Sequence, residues 1–383
     1  MATLVGVPKE TADGERRVAL VPEVAGRLAD RDFRVVVERG AGETAHHADD
    51  AYEDAGATVA DRAEALGADV VTCVQALPDD DLDQLNDGAA LVGLLAPLDE
   101  PERARSLAER GVTALAMELV PRISRAQKMD ALSAMSSIGG YKAALMAAHK
   151  LPRFFPLLTT AAGTIRPATV LVLGAGVAGL QAIATAQRLG AKALAYDIRA
   201  AAAEEVESLG AEFVELEFET QKKNEDTGGY AEELQQEKQE RQTELLVPHI
   251  GNADAVITTA LIPGRPAPVL VNEDAVRAMV PGSVIVDLAA TGGGNCALTE
   301  PGETITRHDV TIMGPRNLPA TLPVHASQLY ARTVAALLEE FVDAEDGVRA
   351  DFEDDIFEGA CLTHDGEIRS ERVRSVLEAS AES

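Results

Sequence analysis

The chain has 383 residues, a length at which one hydrophobic core normally gives way to two domains. Its 46% hydrophobic and 25% charged residues supply enough apolar material for substantial cores and exclude an acidic disordered chain. With 34 basic against 63 acidic residues the formal net charge is −29, which excludes a strongly basic face and argues against nucleic acid or an anionic membrane surface as partner.

Along the chain, Met1 to Lys9 carries no signal-peptide pattern and leads straight into a strand-like run. From Thr3 to Met117 short apolar runs (LVGV, FRVVVE, DVVTCV, ALVGLL, VTALAM) alternate with charged, helix-compatible ones (PEVAGRLAD, AYEDAG, DLDQLND, EPERARSLAERG), which is the α/β signature. Pro121 to Ser124 interrupts the series, and MDALSAMSSIGGYKAALMAAHKL reads as a long helix weakened in the middle by Gly139 and Gly140. After Pro152 to Pro167 a second series follows: TVLVLGAG, VAGLQAIATAQRLG, AKALAYD, AAAEEVESLG, AEFVELE, ADAVITTAL, NEDAVRAMV, GSVIVDLAA and VTIMG. The expected architecture is α/β, with two doubly wound, Rossmann-like domains in tandem. A helix from about His325 to Phe341 and the apolar ACLT at 360 to 363 read as a return of the chain to the first domain. The expected division is 1–135 with 326–383 for the first domain and 136–325 for the second, inserted one.

Glu219 to Glu244 is polar, nearly free of large apolar residues, and lies between two expected strands. It reads either as a solvated loop leading into an exposed helix or as a mobile lid carrying Tyr230. No apolar stretch reaches the roughly 20 residues of a membrane helix, so no direct membrane insertion is expected. Cys73, Cys296 and Cys361 have no metal-type spacing, so neither a metal site nor a disulfide framework is expected, and a reducing cytoplasm fits. The basic residues are 8 Lys against 26 Arg. An acidic, lysine-poor surface stays hydrated when salt screens its self-repulsion, so a salt-adapted, halophilic protein is expected, with an ordinarily acidic enzyme as the alternative reading. Folding that weakened as salt rose would contradict this.

Three groups of residues carry chemistry. The apolar run Val170 to Leu173 leads at once into Gly174-Ala175-Gly176-Val177-Ala178-Gly179 and a helix-compatible stretch. In that context GxGxxG is a dinucleotide fingerprint: Gly174 for the tight turn, Gly176 for approach of the backbone to a pyrophosphate, Gly179 for close helix packing. The helix N-terminus, with Val177 and Ala178, supplies amide donors. Eighteen residues beyond Gly179, Asp197 ends the next expected strand and precedes Ile198 and Arg199. A carboxylate there accepts from ribose hydroxyls and repels a 2′-phosphate, favouring NAD(H) over NADP(H). Arg199 could instead accommodate a 2′-phosphate, lie on the surface or stack on adenine.

The second group comprises Thr258-Thr259-Ala260, the run Ala289 to Asn295 with Gly292 and Gly293, and Gly314-Pro315, all at expected strand ends. They read as backbone surfaces for the nicotinamide half, or singly as ordinary turns. The third is Arg122, Gln127, Asp130 and Ser133. The spacing of three and three from Gln127 to Ser133 predicts one polar helix face, either a solvated helix start or a set of groups for a carboxamide and ribose.

The string PRISRAQKMDALS at 121 to 133, GYKAALMAA at 140 to 148, the glycine turn with Tyr196-Asp197, and GPRNLPATLPVHASQLYARTV at 314 to 334 resemble the NAD(H)-binding component of proton-translocating nicotinamide nucleotide transhydrogenase. The resemblance covers nearly the whole chain. It implies a homodimer of two-domain protomers with NAD(H) in the second domain. It further implies nicotinamide contacts from Arg122, Gln127, Asp130 and Ser133, and a mobile loop whose Tyr230 closes on the nucleotide. Family proteins act with a membrane-spanning proton-translocating component and an NADP(H)-binding component, which would place this chain at the inner face of the cell membrane through its partners.

Alanine dehydrogenase is the related alternative, and its chemistry needs groups for a carboxylate and a proton. In that family a Lys and a His of the N-terminal domain serve. Here the corresponding strands read Val71-Thr72-Cys73-Val74-Gln75 and Leu91-Val92-Gly93-Leu94-Leu95, while Lys9, Glu10 and Arg17 are shared by both families. Hydride transfer between two nicotinamide rings needs no side-chain acid or base, only proximity at about 3–3.5 Å. A catalytically silent NAD-binding module is the third reading.

Overall fold

A computed structural model of the chain describes residues 2–216, 230–261 and 264–381. The chain forms two compact units, Met1–Met135 with Pro319–Ser383, and Ser136–Leu318. The first begins with six strands: β1 (Leu4–Val7), β2 (Arg34–Glu38), β3 (Thr58–Ala60), β4 (Val70–Gln75), β5 (Ala90–Leu94) and β6 (Thr113–Ala116). They lie in the order β6-β5-β4-β1-β2-β3, every neighbouring pair parallel. The order therefore reverses at β1, and helices cross over between strands as parallel pairing requires. Strands buried on both faces need continuous apolar sequence, which is why VVTCV and ALVGL read as unbroken runs.

A helix from Ala131 to Lys150 runs without interruption through Gly139 and Gly140. The glycines do not weaken it into a break. A Cβ at Gly140 would meet the Ala178 carbonyl oxygen at 2.0 Å, so the residue is small because a second helix backbone lies against it. Next comes a two-stranded hairpin, β7 (Leu158–Thr160) and β8 (Gly163–Ile165), in the proline-bounded stretch where no element is expected from sequence.

The second sheet follows: β9 (Thr169–Leu173), β10 (Lys192–Tyr196), β11 (Glu212–Phe213), β12 (Ala255–Thr258), β13 (Val284–Asp287), β14 (Thr304–Arg307) and β15 (Val310–Met313). Its order is β11-β10-β9-β12-β13-β15-β14, parallel throughout except for β14. Val170 and Val172 face one core with Ala143, Ala147, Ile183 and Ala186 of two helices. Leu171 and Leu173 face the other with Leu246, Ile250 and Val276. The expected strand at 211 to 217 shortens to Glu212–Phe213, although the Val214 N–H still donates to the Ala195 carbonyl of β10 at 2.8 Å.

In the polar insertion, residues 217–229 lie outside the described residues, so the expected lid is not defined there. From Tyr230 the chain is helical to Gly251, and the Tyr230 side chain also lies outside the described residues.

The return begins with the helix Pro323–Phe341, slightly ahead of the expected His325, since proline fits a first turn whose N–H needs no partner. The short hairpin β16 (Val342–Asp343) and β17 (Gly347–Val348) follows. Thr3 donates to the Ala344 and Asp343 carbonyls at 2.6 Å each, tying this hairpin to the start of β1. Asp354 caps the helix Asp355–Ala360 through the Ile356 N–H and pairs with Arg125 at 2.7 and 2.6 Å. The acidic segment is thus a fastening of the first unit. Finally β18 (Cys361–His364) adds antiparallel to β6, with β19 (Glu367–Ile368) at the edge. Leu362, Val373 and Leu377 share one core with Val71, Leu91 and Leu107, so both chain ends belong to the first unit.

Candidate nucleotide site

In the second sheet the strand order reverses at β9, with β10 on one side and β12 on the other, and open α/β sheets bind ligands beyond the strand ends at such a point. The glycine turn leaves β9 there. Gly174 has φ +99°, and a Cβ on it would meet Thr259 Oγ1 at 2.6 Å. At Gly179 a Cβ would lie 1.8 Å from the Gly174 carbonyl oxygen, so helix and turn are in backbone contact. Gly176 differs from both. It is the N-cap of the helix Val177–Arg188, no side chain caps that helix, and a Cβ there would meet nothing within 4 Å. The first-turn amides, Val177 and Ala178 among them, therefore have neither an intrahelical acceptor nor a side-chain one. Such a terminus fits a pyrophosphate.

Asp197 lies just beyond β10, and its carboxylate accepts from the Ala175 N–H at 2.8 Å. Arg199 lies across it: the Arg199 N–H and Nε donate to Oδ1 at 2.8 and 3.0 Å, and Nη2 to Oδ2 at 3.1 Å. Burial alone would raise the Asp197 pKa, but the Arg199 guanidinium and the two backbone donors outweigh it and hold the carboxyl below its usual range. Asp197 is thus an ionised acceptor at neutral pH. Ile198 is 79% exposed beside it, an apolar surface with nothing covering it.

Beyond β12 and β13 lie the other expected residues. Thr259 donates its hydroxyl to the Gly174 carbonyl at 2.9 Å, and its N–H to the Leu173 carbonyl at 2.8 Å, joining this loop to the glycine turn. The Ala260 N–H is bound by Asn295 Oδ1 at 2.9 Å. Gly292 accepts from the Ala267 N–H, and Gly293 has φ +101° with open space where a Cβ would be. One sheet edge thus brings together Gly174, Gly176, Val177, Ala178, Gly179, Asp197, Ile198, Arg199, Thr259, Ala260, Gly292 and Gly293.

Arg122, Gln127, Asp130 and Ser133 lie in the first unit. They do not share one helical face. Ser124–Met129 is a 3₁₀ turn and the α-helix starts only at Ala131. Asp130 sits at the junction, where its carboxylate accepts from the Ser133 N–H at 2.8 Å and the Ser133 hydroxyl at 2.6 Å. It caps the helix, because the local aspartate-to-N–H bond competes better than a continued helix. Arg122 and Gln127 are exposed. Arg125 to Asp354 and Lys128 to Glu340, at 2.8 Å for the latter, hold the turn in place.

At the ends of β4 and β5 stand Gln75 and Leu94, with no Lys or His. The Gln75 amide donates to Glu15 at 3.0 Å, and Glu15 pairs with buried Arg17 at 2.6 Å. Asp287 and Asn295 are both fully buried beyond the strand ends of the second sheet; Asp287 has no part in the sequence reading, and Asn295 enters it only as the end of the run Ala289 to Asn295. A polar residue closing an apolar strand, as in VIVD, is the signal that could have marked Asp287.

Two doubly wound α/β units, one with an uncapped glycine-rich helix terminus and an ionised acidic residue on the adjoining strand, define a Rossmann-type nucleotide-binding protein. Residues 6–139 match the family description alanine dehydrogenase/PNT, N-terminal domain, and residues 143–371 match alanine dehydrogenase/PNT, C-terminal domain. The chain belongs to this family. It is 46% identical over 368 residues to the NAD(P) transhydrogenase subunit alpha of Cereibacter sphaeroides, covering 95% of this chain and 70% of that one. The crystal structure of a transhydrogenase from Sinorhizobium meliloti superimposes with a TM-score of 0.86 at 41% identity, covering 95% and 99%. An L-alanine dehydrogenase superimposes with a TM-score of 0.84 at 26% identity, covering 98% and 99%.

Proposed function

We propose that this chain is the NAD(H)-binding subunit of a proton-translocating NAD(P) transhydrogenase. The observation that carries the reading is the combination at one sheet edge of the uncapped terminus at Gly176 with ionised Asp197, in a chain whose first-unit strand ends hold neither Lys nor His. Likeness to transhydrogenase alpha subunits over nearly the full chain supports it. When bound, NADH supplies a hydride from its nicotinamide ring to NADP⁺ held on a partner subunit. The first-turn amides from Val177 hold the pyrophosphate, and Asp197 accepts from the adenosine ribose. Arg122, Asp130 and Ser133 would orient the carboxamide and nicotinamide ribose, Gln127 would serve the second nucleotide, and Tyr230 would serve the first. No residue of this chain need take or give a proton, which suits strand ends at β4 and β5 that carry neither Lys nor His.

The protein acts as a homodimer, held at the inner face of the membrane by a membrane-spanning subunit that couples hydride transfer to proton translocation. Among the described residues no helix is long and apolar enough to cross a membrane. Fluorescence titration of the full chain tests the reading: NADH should bind well and NADPH poorly, and L-alanine should not reduce NAD⁺ in its presence. Alanine-dependent reduction would make it an amino-acid dehydrogenase instead. Asp130→Asn should slow hydride transfer with adenosine recognition intact, and unchanged transfer would remove Asp130 from the site.

A further inference from the structure

Beyond β12 and β13 two buried polar side chains direct all their hydrogen bonds to the loops of the nucleotide site. Asn295 is 0% exposed. Its Oδ1 accepts from the Ala260 N–H at 2.9 Å, and its Nδ2 donates to the Ala260 and Pro268 carbonyls at 2.8 Å each. The amide therefore pairs with the Ala260 main chain as a neighbouring strand would, although no strand is there. Asp287, also 0% exposed, accepts four bonds. Thr258 Oγ1 and the Ala289 N–H reach Oδ1 at 2.8 and 3.0 Å, and the Cys296 N–H and Thr299 Oγ1 reach Oδ2 at 3.0 and 2.7 Å.

Both side chains join one loop to another across the sheet edge. Asp287 binds the end of β12 to the loop after β13, and Asn295 binds that second loop back to Ala260. Gly294 has φ +83°, and a Cβ on it would come within 2.9 Å of Asp287 Oδ2, so this glycine makes room for the carboxylate while its neighbour Gly293 faces open space. Through Thr259, whose hydroxyl holds the Gly174 carbonyl, the same network reaches the glycine turn. In a doubly wound fold the strands on this side of the reversal serve the half of a dinucleotide away from the adenosine.

We infer that Asn295, braced by Asp287, is a positioning residue for the nicotinamide half of the bound dinucleotide: it takes up the Ala260 N–H and fixes the height of the Ala260 and Gly293 backbone surfaces. This rests on the reading of the site as an NAD(H) site. Ala260 then meets the ligand through its methyl group, its N–H being already bound. A side chain that satisfies a buried donor and two acceptors leaves all three orphaned when removed, and the loops must shift to reach water.

The test is a pair of titrations on the full chain, with NADH, which spans both halves, and with 5′-AMP, which occupies only the adenosine half. Asn295→Ala should weaken NADH about tenfold, the effect of one lost hydrogen bond's worth of loop placement, and leave 5′-AMP within about twofold. Thr258→Val, which removes one bond to Asp287 without changing shape, should give a smaller loss of the same kind and serves if Asn295→Ala does not fold. Equal losses for both ligands, or none for either, with folding intact in a thermal melt, would overturn the inference. A wild-type chain that binds 5′-AMP and not NADH would instead overturn the function on which it rests.

Discussion

The two sheets reverse their strand order alike, at β1 in the first unit and β9 in the second, yet the crevices beyond them are finished with opposite chemistry. In the first unit the chain fills the crevice itself. Glu10, in the loop after β1, takes the Val74 and Gln75 N–H groups at the end of β4 at 2.6 and 3.1 Å. Glu15 holds Arg17 and the Gln75 amide, and the Tyr330 hydroxyl donates to the Cys73 carbonyl at 2.8 Å. Burial raises the Glu10 pKa to about 7, while at Glu15 the Arg17 guanidinium outweighs burial and lowers it to about 2. In the second unit glycines stand in the same place; the helices that follow, Pro22–Ala29 and Val177–Arg188, both lack a side-chain cap, but only the first opens on a proline.

Adding a carboxylate at the open helix terminus should close the second-unit site. Gly176 has ordinary extended backbone, φ −79°, and room for a side chain, so Gly176→Asp places an N-cap where none exists. The expected result is a loss of NADH affinity of more than about a hundredfold, with an unchanged or slightly higher melting temperature, since aspartate is a better N-cap than glycine by a few tenths of a kcal/mol. Retained binding would mean that the helix terminus does not hold the phosphates.

The second test concerns the self-filled unit. Glu118, beyond β6, binds the Ala96 N–H with one oxygen, and its other oxygen is buried without a partner. Burial raises its pKa from 4.5 to about 7 against backbone hydrogen bonds that lower it. The folded state therefore holds this proton more tightly than the unfolded chain. Its stabilisation is complete below pH 4.5 and is lost as pH rises through about 7. Glu118→Gln removes the ionisation and should raise stability by about 1–3 kcal/mol above pH 7, flattening the decline seen by chemical denaturation. An unchanged pH profile would contradict the assignment. A smaller effect is expected at Asp197, where Asp197→Ala should weaken NADH about tenfold and relax discrimination against NADPH. Unaltered affinity for both would remove Asp197 from the site.

What the sequence disclosed follows the same division. The glycine turn was legible because its three positions are dictated by backbone contact, at Gly174 and Gly179, and by an open helix end at Gly176. The alternating strands were legible because parallel strands buried on both faces must be apolar without interruption. Local capping was not: the spacing of Gln127, Asp130 and Ser133 suits a helix face, and only three-dimensional geometry shows Asp130 ending a 3₁₀ turn and starting the helix. The acidic stretch before Asp355 was opaque for a related reason, since the partners of Asp354 and Thr3 lie hundreds of residues away in sequence. The run ending at Asn295 was legible as a loop, but the work of its side chain was not, because a buried amide that bonds a loop's main chain leaves no periodic trace.

The central claim is tested most directly by mixing the full chain with a separately prepared NADP(H)-binding subunit and following hydride exchange between NADPH and an NAD analogue whose reduced form absorbs at its own wavelength. The account predicts rapid reduction of the analogue that needs both proteins and is abolished by Gly176→Asp. Absence of exchange while NADH still binds would contradict it, leaving a nucleotide-binding module without a role in hydride transfer.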